Sequence, residues 1–334
     1  MIEGGNVRKI LTWASKWGLE WIYGGSHIAI SEVRNGQIVD KKQRKITDED
    51  RSNVLEVIEQ TIFENVINIL NDTNEKLENI GIAVPGIVRD GVIIKCVNLG
   101  IKDYNISERL NNRFIEYAND NGKQEKFESL PLQIKLQNDA KCAAIAENKY
   151  GVLQGYGNSI FLTLGTGIGG AAILEGKLLE GKCFSGYEFG HMTIDVHGEQ
   201  CKCGKKGCFE LYGSMKNFKK NFKEKLGLSQ FTHSEQLLDL LKYDSALEKN
   251  DERIKQVIDE YTENLAIGMS NLINIFEPEA IGIGGSFAYF EEFLLEKLKD
   301  KILNGNLLFN TRSDIIIKSA LLKNDAGIIG ASML

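Results

Sequence analysis

The chain holds 334 residues, more than one ordinary hydrophobic core accommodates, so two lobes are expected. Apolar residues make up 43% and charged residues 26%, which excludes a disordered chain, and only three prolines leave no Pro-rich linker. The formal net charge of −6 argues against nucleic acid as the main partner. No apolar run reaches the roughly 18 residues of a membrane-spanning helix, and Met1 to Gly18 lacks the basic-then-apolar order of a secretory leader.

Residues 1–20 show no clear period and stay unassigned. His27–Val33 and Gln37–Val39 read as a hairpin turning at Asn35-Gly36. Apolar residues at helical spacing predict a helix over 48–72. Ile80–Val84 reads as a buried strand stopped by Pro85-Gly86, followed by a short strand at 92–94 and a helix near 106–119. The polar piece 120–131 marks a seam between a small lobe, 21–125, and a large lobe, 126–320, with the last helix, 321–334, assigned to the small lobe. In the large lobe a strand (132–136) leads into a helix (140–150), and a strand at 159–164 ends in Gly165-Thr166-Gly167-Ile168-Gly169-Gly170. A second hairpin pairs 171–174 with 177–179. Helices dominate 215–276, and the chain closes with strand 280–283, helix 290–303, strand 315–318 and helix 326–334.

Three features carry chemistry. His191, Cys201, Cys203 and Cys208 follow the spacing His-x9-Cys-x-Cys-x4-Cys, which suits a closed tetrahedral zinc site of structural type. His197 competes with His191 as the nitrogen ligand, while His27 and His233 read as ordinary surface residues. Asp139 follows a strand and opens a helix, where it can serve as a general base or simply cap the helix. Glu188 and Glu210 bracket the cysteine loop; there they accept hydrogen bonds from sugar hydroxyls or remain solvated acids. Three glycine turns follow strands, at Gly24-Gly25-Ser26, Gly165-Thr166-Gly167 and Gly284-Gly285, and offer backbone N–H groups to phosphate. None is a nucleotide P-loop, because Gly-x4-Gly-Lys-Ser/Thr is absent.

Taken together, Gly190-His191, Cys201-Lys202-Cys203-Gly204-Lys205-Lys206-Gly207-Cys208-Phe209-Glu210, Ala83-Val84-Pro85-Gly86, Val97-Asn98-Leu99, Asn138-Asp139-Ala140, Leu164–Gly170, Ile283-Gly284-Gly285 and Asp325–Ala331 resemble the ROK family of bacterial sugar kinases and sugar-sensing repressors. The resemblance runs over nearly the whole chain from about residue 20. It implies an α/β, two-lobed, actin-like (ribonuclease-H-type) fold with ATP and sugar in the cleft between lobes. It implies Asp139 as general base for the 6-hydroxyl of a hexose, glucose or a close relative. Asn138, Glu188, His191 and Glu210 would bind the other hydroxyls, with Asn98 and Gly86 beside them. Gly165, Thr166 and Gly167 would hold phosphate, and Gly284 and Gly285 would lie by the adenosine, with Mg²⁺ bridging phosphates and a structural Zn²⁺ in the loop. A cytoplasmic homodimer with no membrane partner completes the expectation.

Two positions depart from the family pattern. Its first phosphate motif reads Asp-x-Gly-Gly-Thr, where this chain has Ile22-Tyr23-Gly24-Gly25-Ser26. The codons compatible with Glu20-Trp21-Ile22-Tyr23 encode an aspartate in a shifted frame, so a reading-frame error before Gly24 is expected and resequencing tests it. The second departure is Tyr187, in place of the small glycine of glucose-phosphorylating relatives. The alternatives to a kinase are a catalytically weak sugar-binding protein and a sugar-sensing regulator. Only about 20 residues precede the first lobe, fewer than the helix-turn-helix segment of the family's repressors.

Overall fold

The computed structural model describes residues 8–12, 27–34, 36–47, 49–72, 77, 79–183, 185–247, 249, 251–310 and 314–334. Gly24, Gly25, Ser26 and Ile22 lie outside the described residues. The architecture is α/β with mixed sheets.

The N-terminal part opens with β1 (Arg8–Thr12), a strand in the stretch the sequence left unassigned. It pairs antiparallel with β2 (His27–Arg34), which pairs antiparallel with β3 (Gln37–Lys45) around the turn at Gly36. The six residues Ile28–Val33 are all buried, so β2 is covered on both faces. Helix α1 (Val54–Asp72) buries Val54, Ile58, Ile62, Val66 and Leu70, one side chain per turn. It begins later than expected because the Asp50 carboxylate is held by the Thr47 backbone N–H at 2.9 Å and by Arg44 at 3.1 Å, which winds Asp50–Asn53 into a tighter 3-10 turn. Strand β4 (Asn79–Val84) lies beside β1 and leads into an antiparallel meander, β5 (Ile87–Arg89), β6 (Val92–Cys96) and β7 (Ile101–Tyr104). Helix α2 (Ile106–Asn121) starts at Asn105, whose side-chain oxygen accepts from the Glu108 N–H at 3.1 Å. Strand β8 (Gln133–Asn138) then runs parallel to β4 and feeds α3 (Asp139–Tyr150). The side chains of α1, α2, β4 and β8 share one hydrophobic cluster with Phe114 at its centre.

A second sheet has the order β11-β10-β9-β12-β13, with β9 (Ser159–Leu164), β10 (Ile168–Leu174) and β11 (Lys177–Leu178) antiparallel. Strand β10 begins at Ile168, three residues before the expected start. Helices α4 (Phe209–Gly213), α5 (Met215–Leu226), α6 (Ser234–Ala246), α7 (Glu252–Phe276) and α8 (Glu291–Asn304) pack around Phe209, Phe218 and Phe222. His233 is exposed and caps α6. Strands β12 (Ala280–Gly285) and β13 (Ile316–Ser319) extend the sheet in parallel with β9.

A smaller cluster joins α3 to α9 (Ala326–Ala331), the last helix. The two backbones touch: a Cβ on Gly330 would lie 1.8 Å from the Cys142 carbonyl oxygen, so only glycine allows this approach. Glu147 of α3 is fully buried. Its carboxylate accepts backbone N–H groups from Val152 (2.9 Å), Leu321 (3.3 Å) and Leu322 (2.7 Å), which satisfies the charge and ties the segment before α9 to α3. No helix among the described residues is long and apolar enough to cross a membrane.

Candidate active site and metal loop

The carboxyl-terminal ends of β4 and β8 lie side by side, with Val84 opposite Asn138. Open α/β sheets place ligands at such strand ends. Asn138 caps α3: its oxygen accepts the N–H groups of Ala140 (3.0 Å) and Lys141 (3.3 Å), and its amide donates to the Gly86 carbonyl (3.2 Å). Asn138 and Gly86 therefore fix each other and the start of the helix.

Asp139, the first residue of α3, faces an open cleft of about 60 Å³ lined also by Gly86, Asn138, Lys141, Gly169, Gly170, Tyr187 and Glu188. One carboxylate oxygen accepts the Ala140 N–H at 2.9 Å. Desolvation outweighs this bond and, with the negative charge of Glu188, pushes the Asp139 carboxyl up to about 6. Asp139 is thus both helix-terminal and cleft-facing. Glu188 is exposed at the same cleft. Its carboxyl is raised by desolvation first and by Glu210, against the pull of His191 and Lys141.

Glu210 belongs to the first turn of α4, yet its carboxylate reaches the Gly165–Gly170 turn and accepts the Ile168 N–H at 3.0 Å. A Cβ on Gly167 would lie 2.2 Å from that carboxylate, so the turn and the acid fit only because residue 167 has no side chain. The same turn is anchored by the Lys216 N–H donating to the Gly165 carbonyl at 3.0 Å. Gly284 and Gly285 lie beside it, because β12 pairs in parallel with β9 and sets Gly285 opposite Leu164. The Asn98 side chain lies outside the described residues.

The cysteine loop is laced by its own backbone. Cys201 N–H donates to Lys205 O at 2.8 Å, Gly207 N–H to Glu199 O at 2.8 Å, and Ile194 N–H to Gly207 O at 2.9 Å. The ligand atoms of His191, Cys201, Cys203 and Cys208 all fall within 4.8 Å of one another. His191 Nδ1 is 3.8 Å from Cys201 Sγ, and the sulfurs of Cys203 and Cys208 are 3.5 Å apart. Zn–S bonds of about 2.3 Å in a tetrahedron require sulfurs about 3.8 Å apart, so the donor set fits zinc. Burial pushes the Cys208 thiol up to about 12; a bound dication reverses that preference. His191, not His197, joins the three sulfurs; the His197 backbone N–H donates to the Asp195 carboxylate at 2.9 Å.

The structure thus gathers Gly86, Asn138, Asp139 and Glu188 on one cleft, with the Gly165–Gly170 turn and Glu210 adjoining it, and groups His191 with the three cysteines as a candidate metal-donor set. Tyr187, the second departure from the family pattern, lines this cleft, and the structure adds Lys141, a residue not expected there. A basic residue in the first turn of a helix runs against the helix dipole and was a readable signal for Lys141. Tyr187 adopts φ +65°, rare for a bulky residue, and its ring packs against Phe189 and Phe276 at 6.4 and 6.5 Å between centroids.

A family model described as the ROK family matches residues 22–334. The chain is 27% identical to a glucokinase of Halalkalibacterium halodurans, over 96% of this chain and 95% of that one. It is 28% identical to a xylose repressor of Caldicellulosiruptor bescii, over 91% of this chain and 73% of that one. A solved ROK family glucokinase from Streptomyces griseus, in complex with glucose and AMPPNP, shares the fold with a TM-score of 0.73 at 22% identity, covering 98% of each chain.

Proposed function

The chain belongs to the ROK family, and from that premise we propose that it is an ATP-dependent sugar kinase acting on the 6-hydroxyl of a hexose, glucose or a close relative. The observation that carries this reading is Asp139: a cleft-facing carboxylate at a strand end, with its carboxyl at about 6 and so poised to take a proton near neutrality. In the proposed step Asp139 accepts the 6-hydroxyl proton as that oxygen bonds the γ-phosphorus; the bond to the bridging oxygen breaks and ADP leaves. Asn138, Glu188, His191 and Glu210 grip the remaining hydroxyls, with Gly86 and Asn98 at the margin. Thr166 and Gly167 offer their N–H groups to phosphate on a turn that Gly165 closes by donating its own N–H to the Gly167 carbonyl at 3.0 Å, and Gly284 and Gly285 border the adenosine. Catalysis of this kind is mostly alignment and charge neutralisation.

Zinc held by His191, Cys201, Cys203 and Cys208 acts structurally, ordering the loop that carries Glu188 and Glu210. Ile22 offers no ligand to the magnesium that travels with ATP. The reading carries with it a cytoplasmic homodimer divided into lobes near residue 125.

The test is a coupled assay with ATP over a hexose panel, run beside Asp139→Asn. Sugar-dependent ADP release that the variant loses, with sugar binding kept, supports the reading; turnover undiminished in the variant removes Asp139 as base. The similarity to a xylose repressor favours one second reading, a sugar-sensing protein with weak or no kinase activity. That reading predicts calorimetric sugar binding with no ADP release.

A further inference from the structure

Lys141 occupies the third position of α3, two residues after Asp139. It lines the cleft and is only 4% exposed. Three costs attend this placement. The first turn of a helix repels a cation. Burial of the side chain leaves the ammonium little access to water. Among the described residues the ammonium also makes no hydrogen bond or ion pair, although its charge acts on the Glu188 carboxylate. Nor is its nitrogen sealed away: the buried side-chain atoms without partners are the hydroxyls of Ser159 and Ser319. A positive and a negative group thus face one cleft without closing on each other.

A sugar hydroxyl is the group that closes such a gap, because it donates and accepts at once. Asp139, Glu188 and Glu210 can only accept when ionised. We propose that Lys141 is a sugar-binding residue of this cleft, donating a hydrogen bond to a hydroxyl oxygen whose own O–H donates to the Glu188 carboxylate. The proposal rests on the sugar-kinase reading above. The three carboxylates outweigh the one ammonium, so the bridging ligand is an uncharged sugar rather than a sugar acid or sugar phosphate.

Lys141→Met keeps the length and removes the charge. Its expected effect is a rise of about tenfold or more in hexose KM and in the calorimetric hexose Kd, the usual consequence of losing a hydrogen bond to a charged donor. The KM for ATP stays within about twofold, and Tm is unchanged or higher because a buried unpaired cation has gone. Lys141→Arg restores part of the hexose affinity. Hexose affinity unaltered in Lys141→Met overturns the proposal. So does a fall in Tm with equal loss for both substrates, since that marks a structural role. Wild-type protein that binds no hexose defeats the sugar reading itself, whereas wild-type protein that binds hexose without turnover leaves Lys141 to be judged on the Kd alone.

Discussion

Two parallel strand pairs end at this site and offer opposite chemistry. β4 and β8 finish on Gly86, Asn138 and Asp139, where side chains carry the hydrogen bonds and one carboxyl is pushed up to about 6. β9 and β12 lead into Gly165–Gly167 and Gly284-Gly285, where side chains are nearly absent and backbone hydrogen bonds at Gly165 hold the turn. The first pair supplies a group that changes protonation; the second supplies fixed dipoles that do not. Acid–base work needs a titratable group in a partly desolvated place, and anion binding needs N–H groups that a ligand can approach closely. Glu210 is the physical link, since it starts in the metal-loop helix and ends on the Ile168 N–H.

The strongest way to break this contrast is Asp139→Asn. Turnover should fall by about 10²- to 10⁴-fold, the range for a lost general base. Stability should move the other way. The folded carboxyl is raised from 3.8 to about 6, so its penalty is absent below about pH 3.8, grows as pH rises and is complete above 6. Removing it should add up to about 3 kcal/mol at pH 8 and nothing at pH 3.5. Paired activity assays and pH-resolved melting curves check both halves.

Loss of the metal comes next. Chelation or Cys203→Ser should weaken hexose binding by about 10- to 100-fold, because the loop bearing Glu188 and Glu210 loses its cross-link. Calorimetry against zinc content measures this, and metal-free protein with full hexose affinity contradicts it. Gly167→Ala probes the second strand pair: the added methyl must displace the Glu210 carboxylate from Ile168. We expect kcat/KM to fall on the order of tenfold for one lost charge-assisted hydrogen bond, with sugar and ATP both affected. In the unaltered protein, kcat/KM should decline below about pH 6 with unit slope as Asp139 takes up a proton, and the Asn variant should lack that limb. The smallest effect is expected of Tyr187→Gly. Release of a left-handed bulky residue, about 1 kcal/mol, offsets the lost ring packing, so Tm barely moves while the hexose panel shifts toward bulkier sugars.

The sequence disclosed what is short-range. The four candidate zinc donors lie within 18 residues, and Asp139 follows its strand directly, so spacing and local pattern were enough. The helices with a clean apolar stripe, α1 and α2, were legible for the same reason. β1 was not, because Arg8–Thr12 becomes a strand only through its pairing with β2, about twenty residues on. β5 and β7 were too short to show a period. The Glu210–Ile168 bond joins residues 42 apart, and nothing near either announces it. Lys141 was half legible: its place in the first turn of a helix opposes the dipole, but its burial depends on the cleft geometry.

The Glu147 carboxylate has a consequence for how the molecule tolerates shortening. Two of its three proton donors come from Leu321 and Leu322, so clipping the tail ahead of them strands an anion in an oily interior. The damage would reach the opposite end of the same helix, two turns away, where Asp139 waits. A deletion there that looks cosmetic on paper would loosen the start of that helix as well.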